Sequence, residues 1–132
     1  MIVNRGTFVH DTAGIYRVNP MTQFVIGPQA IFRVPAGTME FAAQADTLIL
    51  QGELHVTGGT VNIGQGSGIA GIVYDKNDTA VIPFLNISSG TLNIKGGITY
   101  HPVSGGEPFR FSMSGGLLQL NSGSTEIGRA HV

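Results

Sequence analysis

The sequence predicts an all-β fold, a right-handed parallel β-solenoid (β-helix) of about four to five rungs without clear caps. A ten-residue pattern recurs along most of the 132-residue chain. Within each repeat, apolar and polar residues alternate on both sides of a glycine, which is typical of two short half-buried strands joined by a bend. The composition of 20 glycines, 42% hydrophobic and 11% charged residues suits buried strands and tight turns rather than a disordered segment.

The repeat consists of apolar, any, apolar, two turn-like residues, Gly, usually Thr, apolar, polar and apolar residues. The repeats start at residues 1, 32, 54, 85 and 111, and the first is degenerate. In the clearest one, LHVTGGTVNI at 54–63, strand alternation predicts one inward and one outward set. The inward set is Leu54, Val56, Val61 and Ile63, and the outward set is His55, Thr60 and Asn62.

The glycine in the sixth position is predicted at a corner between strands, because such a bend often needs positive φ or close backbone approach. These corner glycines are Gly6, Gly37, Gly59, Gly90 and Gly116. Additional strands are predicted between the repeats as the third side of each coil, at 15–18, 23–26, 48–50, 72–74, 80–82 and 98–100. An antiparallel barrel or sandwich is the structural alternative. The long spacing of the repeats and the recurrence of one residue type at one position favour parallel stacking.

We expect one domain, with solenoid repeats over residues 1–126. Residues 127–132, IGRAHV, resemble one reading frame of a widely used sequencing adapter, and we interpret them as a non-native tail on a metagenomic fragment truncated near Glu126. Neither terminus resembles a cap. We therefore expect the isolated fragment to self-associate end to end or aggregate, and adjacent rungs of a parent chain to be its natural neighbours.

Charge and residue usage argue against several classes of partner. The net charge is −1 and the seven Lys and Arg residues are scattered singly, which argues against binding to nucleic acid. The chain has no cysteine, so neither a disulfide framework nor thiolate chemistry is predicted. No apolar run approaches the ~18 residues of a membrane span, so no membrane insertion is expected. Residues 1–10 lack the pattern of a signal peptide, so export signals are expected outside this chain.

The phrases GGTVNIG (58–64) and SGTLNIK (89–95) resemble the degenerate repeats of large bacterial β-helical adhesins. These include autotransporter passenger domains, filamentous-haemagglutinin-type proteins and giant surface proteins of Bacteroidetes-like bacteria. The resemblance is one of pattern and covers most of residues 1–126. It implies a structural or adhesive segment of a secreted or cell-surface protein, extracellular in location, that acts as a stalk or a binding surface for a surface glycan or a ligand on a host or neighbouring cell. It transfers no catalytic residue.

A column of threonines is the most regular predicted surface feature. Regularly spaced hydroxyls could form a ligand face for a polysaccharide or an ice lattice, or they could simply be β-branched residues that stabilise the ladder. The column consists of Thr7, Thr38, Thr60 and Thr91. The neighbouring outward position weakens the ice hypothesis, because it holds no second threonine column; there Asn62 and Asn93 could also form a stacked amide ladder.

A weak calcium candidate is the loop that contains Asp75, Asn77 and Asp78, although it lacks the later residues of a full motif and is better interpreted as a polar turn. No other metal site and no cofactor are predicted. The histidines at 10, 55 and 101 share no metal-ligand spacing.

No catalytic residue is predicted, and the alternative function is a carbohydrate-active or carbohydrate-binding β-helix similar to a polysaccharide lyase or hydrolase. Such an enzyme would cluster carboxylates on one face, whereas those of Glu40, Glu53, Asp75 and Glu107 fall at different repeat positions. A carbohydrate-binding module would instead need an exposed aromatic platform. The candidates for it are Tyr16, Tyr74, Tyr100 and Phe109.

Overall fold

The computed structural model of this chain is a parallel β-solenoid, which confirms the predicted fold class. It describes residues 2–9, 14–18, 23–41, 47–63, 71–76, 80–94, 96–101 and 107–120. This part contains no helix, and all its strand pairs are parallel. The strands are β1 (Ile2–Val9), β2 (Ile15–Val18), β3 (Gln23–Val34), β4 (Thr38–Phe41), β5 (Thr47–Leu50), β6 (Glu53–Ile63), β7 (Ile72–Tyr74), β8 (Phe84–Ile94), β9 (Ile98–Tyr100), β10 (Arg110–Met113) and β11 (Leu117–Leu120).

The strands stack into three ladders, which we call faces A, B and C. Face A contains residues 7–9, 31–34, 53–56, 84–87 and 110–113. Face B contains 15–18, 38–41, 60–63, 91–94 and 117–120. Face C contains 2–3, 23–26, 47–50, 72–74 and 98–100. Each coil passes through faces C, A and B in that order. The first coil is 2–18, the inner coils are 23–41, 47–63 and 72–94, and the last coil is 98–120.

The register places equivalent repeat positions above one another. On face A, Val56 pairs with Ile87, which pairs with Met113, as the repeat predicts. The predicted inward residues of the clearest repeat are confirmed, because they are at most 1% exposed. Inward residues from all three faces form one hydrophobic cluster, and burying each large apolar side chain contributes roughly 1.5–3 kcal/mol.

The corner between faces A and B always has three residues, at 35–37, 57–59, 88–90 and 114–116 in the last four coils. Backbones of successive coils touch there. A Cβ on Gly90 would overlap the Gly59 carbonyl oxygen, and the φ of Gly90 is +82°. Gly59 has no positive φ, but its Cβ would lie 2.7 Å from Cγ1 of Val34. Among these four coils, length variation is therefore confined to the other two corners, which explains the unequal spacing of their repeats.

The first coil corrects the repeat predicted at residue 1. Phe8 pairs with Phe32, and Gly6 pairs with Ala30 at the corner between faces C and A. The match to the repeat therefore begins at Phe8, and the first coil has one residue more than the repeat that starts at Phe32. Ile15 lies seven positions after Phe8, whereas its partner Thr38 lies six positions after Phe32.

Two of the additional strand predictions were also wrong in part. Residues 15–18 do form a strand, but it pairs with β4 on face B rather than supplying the third side. Residues 80–82 form no strand. They lie in the segment that leads to Pro83, which lacks the backbone N–H that continues a ladder.

Candidate functional site

The threonine column is shorter than predicted. Thr38, Thr60 and Thr91 pair in register on face B and are half-buried. Thr7 instead pairs with Ile31 on face A, because the register of the first coil differs from the predicted one. Ile15 and Leu117 occupy the two ends of the column.

The neighbouring column on face B contains an amide ladder. Nδ2 of Asn93 donates a hydrogen bond of 2.8 Å to Oδ1 of Asn62. Oδ1 of Asn93 is buried and has no hydrogen-bond partner among the described residues. Gln119 is next in register and exposed. Asn62 and Asn93 thus bind each other, as the predicted stacked amide ladder requires.

Three side chains on face A form a series of hydrogen bonds that was not predicted from the sequence. Nε2 of His55 lies 2.7 Å from Oε1 of Glu53, and Nδ2 of Asn86 lies 3.2 Å from Nδ1 of His55. Donation by the Asn86 amide fits the tautomer that carries its proton on Nε2. Both ring nitrogens are then occupied and only 16% of the His55 side chain is exposed, so this histidine is held in place rather than presented to a substrate.

Side chains of several chemical types come together at the corner between faces C and A. Leu50, Tyr74 and Tyr100 pair in register on face C, so the residues that follow them also stack. These are Gln51, Asp75 and His101. Nε2 of Gln51 donates a 2.9 Å hydrogen bond to Oδ2 of Asp75, and Nδ1 of His101 lies 3.6 Å from the other carboxylate oxygen. Backbone hydrogen bonds between successive coils hold this arrangement. The amide of Asp75 donates to the carbonyl of Leu50, and the amide of His101 donates to the carbonyl of Tyr74, both at 3.0 Å.

Aromatic rings lie directly beside this polar column. The ring of Phe109 stacks on that of Tyr74 at a centroid distance of 4.6 Å and packs against Tyr100 at 5.1 Å. Tyr74 is fully buried, whereas Tyr100 is 48% exposed. Burial raises the pKa of the Tyr74 hydroxyl above its usual range, and this hydroxyl donates a long hydrogen bond of 3.4 Å to the carbonyl of Arg110.

An exposed ion pair completes the corner. Nε of Arg110 lies 3.0 Å from Oε2 of Glu107, three residues earlier in the chain. We refer to Asp75, Tyr100, His101, Glu107, Phe109 and Arg110 together as the corner site. It offers an aromatic surface, two carboxylates, a guanidinium and an imidazole that is 67% exposed, a mixture suited to holding a ligand that has both apolar and hydroxylated faces.

The predicted site residues divide accordingly. Of the calcium candidate, Asp75 belongs to the corner site, and Asn77 and Asp78 lie outside the described residues. Of the aromatic candidates, Tyr100 is exposed and Phe109 is partly exposed, while Tyr74 packs beneath them in the core. The side chain of Tyr16 lies outside the described part of the chain. His10 and residues 127–132 also lie outside it.

Two further observations concern the described segments. No three His, Cys, Asp or Glu side chains of these segments could together hold a metal ion. These segments also contain no helix of the length and apolarity needed to cross a membrane. Comparisons of the chain with protein-family models, with curated proteins and with solved structures find no match.

Proposed function

We propose that this chain is a structural and adhesive segment of a secreted or cell-surface protein, and that it binds a glycan at the corner site. The observation that carries the proposal is the exposed ring of Tyr100, packed on Phe109 and adjacent in sequence to the Asp75–His101 pair. An aromatic face packs against the C–H face of a sugar ring, and the neighbouring polar groups can bind its hydroxyls.

The architecture supports the spacer part of the proposal. The coils stack in one register around one continuous core, so further coils stacked on the first coil add length without a new core and leave the corner site uncovered. The segments that lead from face C to face A at 75–83 and 101–109 are the longest of that corner and lie on adjacent coils. A solenoid whose connections vary in length at one corner is suited to presenting a binding surface there.

A glycan array probed with the labelled 132-residue chain tests the binding part directly. We expect binding to a defined group of glycans, and at least about tenfold weaker binding by Tyr100→Ala, because central aromatic contacts contribute most to recognition. Ser112→Ala is the matched control, since Ser112 is exposed on face A of the same coil and outside the corner site. Wild-type affinity in Tyr100→Ala, or the same loss in the control, would contradict the site. A wild-type chain that binds no glycan would contradict the function.

The alternative, a carbohydrate-active enzyme, is favoured by one observation, the proximity of the Asp75 carboxylate to the exposed His101 imidazole. A carboxylate and an imidazole can act as an acid and base pair. Incubating the glycans that bind with the chain, and measuring new reducing ends and unsaturated products, separates the two functions. The adhesive proposal expects intact glycan, and product that disappears in His101→Ala would favour the enzyme.

A further inference from the structure

A column of outward side chains on face A continues the corner site toward the inner coils. Arg110, which belongs to the corner site, pairs in register with Phe84, and Phe84 pairs in register with Glu53. We call these three residues the face A column. Neighbouring strands of a sheet lie about 4.8 Å apart, so the column extends about 10 Å along the solenoid axis from Arg110 to Glu53.

Phe84 gives the face A column an aromatic surface. Its side chain points outward and is half-buried, because the strand alternates half-buried and buried residues from this position. The Phe84 ring meets the ring of His55 edge to face, with a centroid distance of 5.5 Å and an interplanar angle of 87°. His55 is itself held at both ring nitrogens, by Glu53 and Asn86. One side of the Phe84 ring therefore has a fixed neighbour, and less ordering is needed when a ligand binds.

The charged groups of the face A column favour a neutral ligand. Oε1 of Glu53 lies 2.7 Å from Nε2 of His55, and Nε of Arg110 lies 3.0 Å from Oε2 of Glu107. Each charged member of the column therefore already has a polar partner within the chain, and the column does not call for a ligand of opposite charge. Oxygen and nitrogen atoms of these groups have further capacity to bind hydroxyls.

The spacing of the face A column fits a glycan chain better than an extended peptide. A peptide strand presents side chains on one face every 6–7 Å or so, which is out of step with coils about 4.8 Å apart. A chain of pyranose rings joined by equatorial bonds is straight, and each residue advances by about one coil spacing. Each ring also has an apolar C–H face, which packs on an aromatic side chain.

We infer that the glycan is an unbranched chain of neutral β-1,4-linked pyranose residues, which continues from the corner site over Phe84 to Glu53, parallel to the solenoid axis. The inference rests on the proposed glycan binding and adds the length, linkage and charge of the glycan. One sugar residue lies at the corner site, and about two more lie along the face A column, one for each further coil. Such a polymer is bound along its length, so binding does not require a chain end.

A series of oligosaccharide lengths tests this arrangement on the wild-type 132-residue chain. The probes are β-1,4-linked oligomers of glucose, of xylose and of N-acetylglucosamine, from the dimer to the hexamer. Oligomers of α-1,4-linked glucose serve as the curved counterpart. Isothermal titration calorimetry measures each affinity. We expect at least one β-1,4 series to bind, with the hexamer at least about tenfold tighter than the dimer, and the α-1,4 hexamer to bind more weakly than the β-1,4 hexamer.

Two substitutions of Phe84 locate the added sugar residues. Phe84→Leu keeps an apolar side chain beside His55 but removes the aromatic face. It should weaken hexamer binding at least about tenfold, to the affinity of the dimer, and leave dimer binding unchanged. Phe84→Trp keeps an aromatic face and should retain the length dependence. Thr91→Ala is the matched control, because Thr91 is half-buried on face B of the same coil, and circular dichroism verifies the fold of each variant.

The outcomes separate this inference from the proposed function. Equal affinity of the wild-type chain for dimer and hexamer, unchanged hexamer binding by Phe84→Leu, or the same loss in Thr91→Ala would each overturn the inference. A chain that binds other glycans but none of the β-1,4 series would overturn it and leave the proposed function standing. A chain that binds no glycan would overturn both.

Discussion

Replacing Gly90 by alanine should destabilise the solenoid through two separable effects. The φ of Gly90 is +82°, and an L-residue in the left-handed region costs about 1–2 kcal/mol. Its Cβ would also overlap the carbonyl oxygen of Gly59 and lie 2.8 Å from the carbonyl carbon of Gly58. These are backbone atoms of the adjacent coil, which cannot rotate away, and such overpacking typically costs about 1–3 kcal/mol. The expected total for Gly90→Ala is about 2–5 kcal/mol.

Two other glycines separate the contributions. Gly6 has a φ of +92° and nothing within 4 Å of its Cβ position, so Gly6→Ala reports the backbone conformation alone, about 1–2 kcal/mol. Gly59 has no positive φ, and its Cβ would lie 2.8 Å from the carbonyl oxygens of Ala36 and Gly37. Gly59→Ala therefore reports the close approach of the coils alone, about 1–3 kcal/mol.

Urea unfolding followed by circular dichroism measures all three variants against the wild type. With a denaturant dependence of about 2 kcal/mol per molar, the loss of about 2–5 kcal/mol in Gly90→Ala should lower the midpoint by about 1–2.5 M. Its loss should be close to the sum of the other two. If Gly90→Ala is no less stable than Gly6→Ala, the coils do not touch at this corner and the explanation for its constant length fails.

Two further predictions concern single polar groups. Gln119→Asn should add about 0.5–1.5 kcal/mol to the free energy of unfolding, because a shorter amide in register with Asn93 can donate to the unpaired Oδ1 of Asn93. Urea unfolding measures this change beside a Gln119→Ala control. Equal stability of the two variants would contradict the prediction. Burial raises the pKa of the Tyr74 hydroxyl, so the folded chain keeps this proton at a pH where the unfolded chain loses it. The stability conferred by the neutral hydroxyl is complete below pH ~10 and should fall above it by up to about 1.4 kcal/mol per pH unit. Tyr74→Phe should show a flatter decline of the urea midpoint between about pH 10 and 11, and parallel declines in the two proteins would refute the role of this hydroxyl.

The fold could be predicted from the sequence because burial imposes a strict pattern on a solenoid. A strand shifted by one residue turns every inward side chain outward, so the positions of Leu54, Val56 and their counterparts fix the register of faces A and B. The glycine that recurs between these faces marks a backbone contact that no other residue permits. Composition, alternation and spacing therefore all indicate the same architecture.

The first coil was misplaced because two corners of the solenoid both use glycine. Gly6 has a positive φ at the corner between faces C and A, whereas Gly37 has one between faces A and B. The sequence around Gly6 also contains a following threonine, so it imitates the repeat. Only the pairing of Phe8 with Phe32 shows which corner each glycine occupies.

The candidate site was harder to predict than the fold, because it depends on loop lengths. Glu53 and His55 could have been paired from sequence, since outward residues two apart on a strand share one face. The contact of Asp75 with Gln51 and His101 joins residues 24 and 26 positions away, and it requires knowing which strands of face C are neighbours. The repeat gives no information about these strands, because face C lies outside its ten residues.

The constant corner between faces A and B also determines where function can arise. Because backbones of adjacent coils touch at Gly59 and Gly90, an inserted residue at this corner of the last four coils would separate the coils and open the core. The corner between faces C and A has no such limit, and its segments extend from two residues at 51–52 to nine at 75–83 and 101–109. Residues at the ends of the long segments, such as Asp75, His101 and Phe109, are held by the ladders on either side. Chemistry that varies between coils therefore accumulates at this corner, while faces A and B and the corner between them keep the repeat in the last four coils.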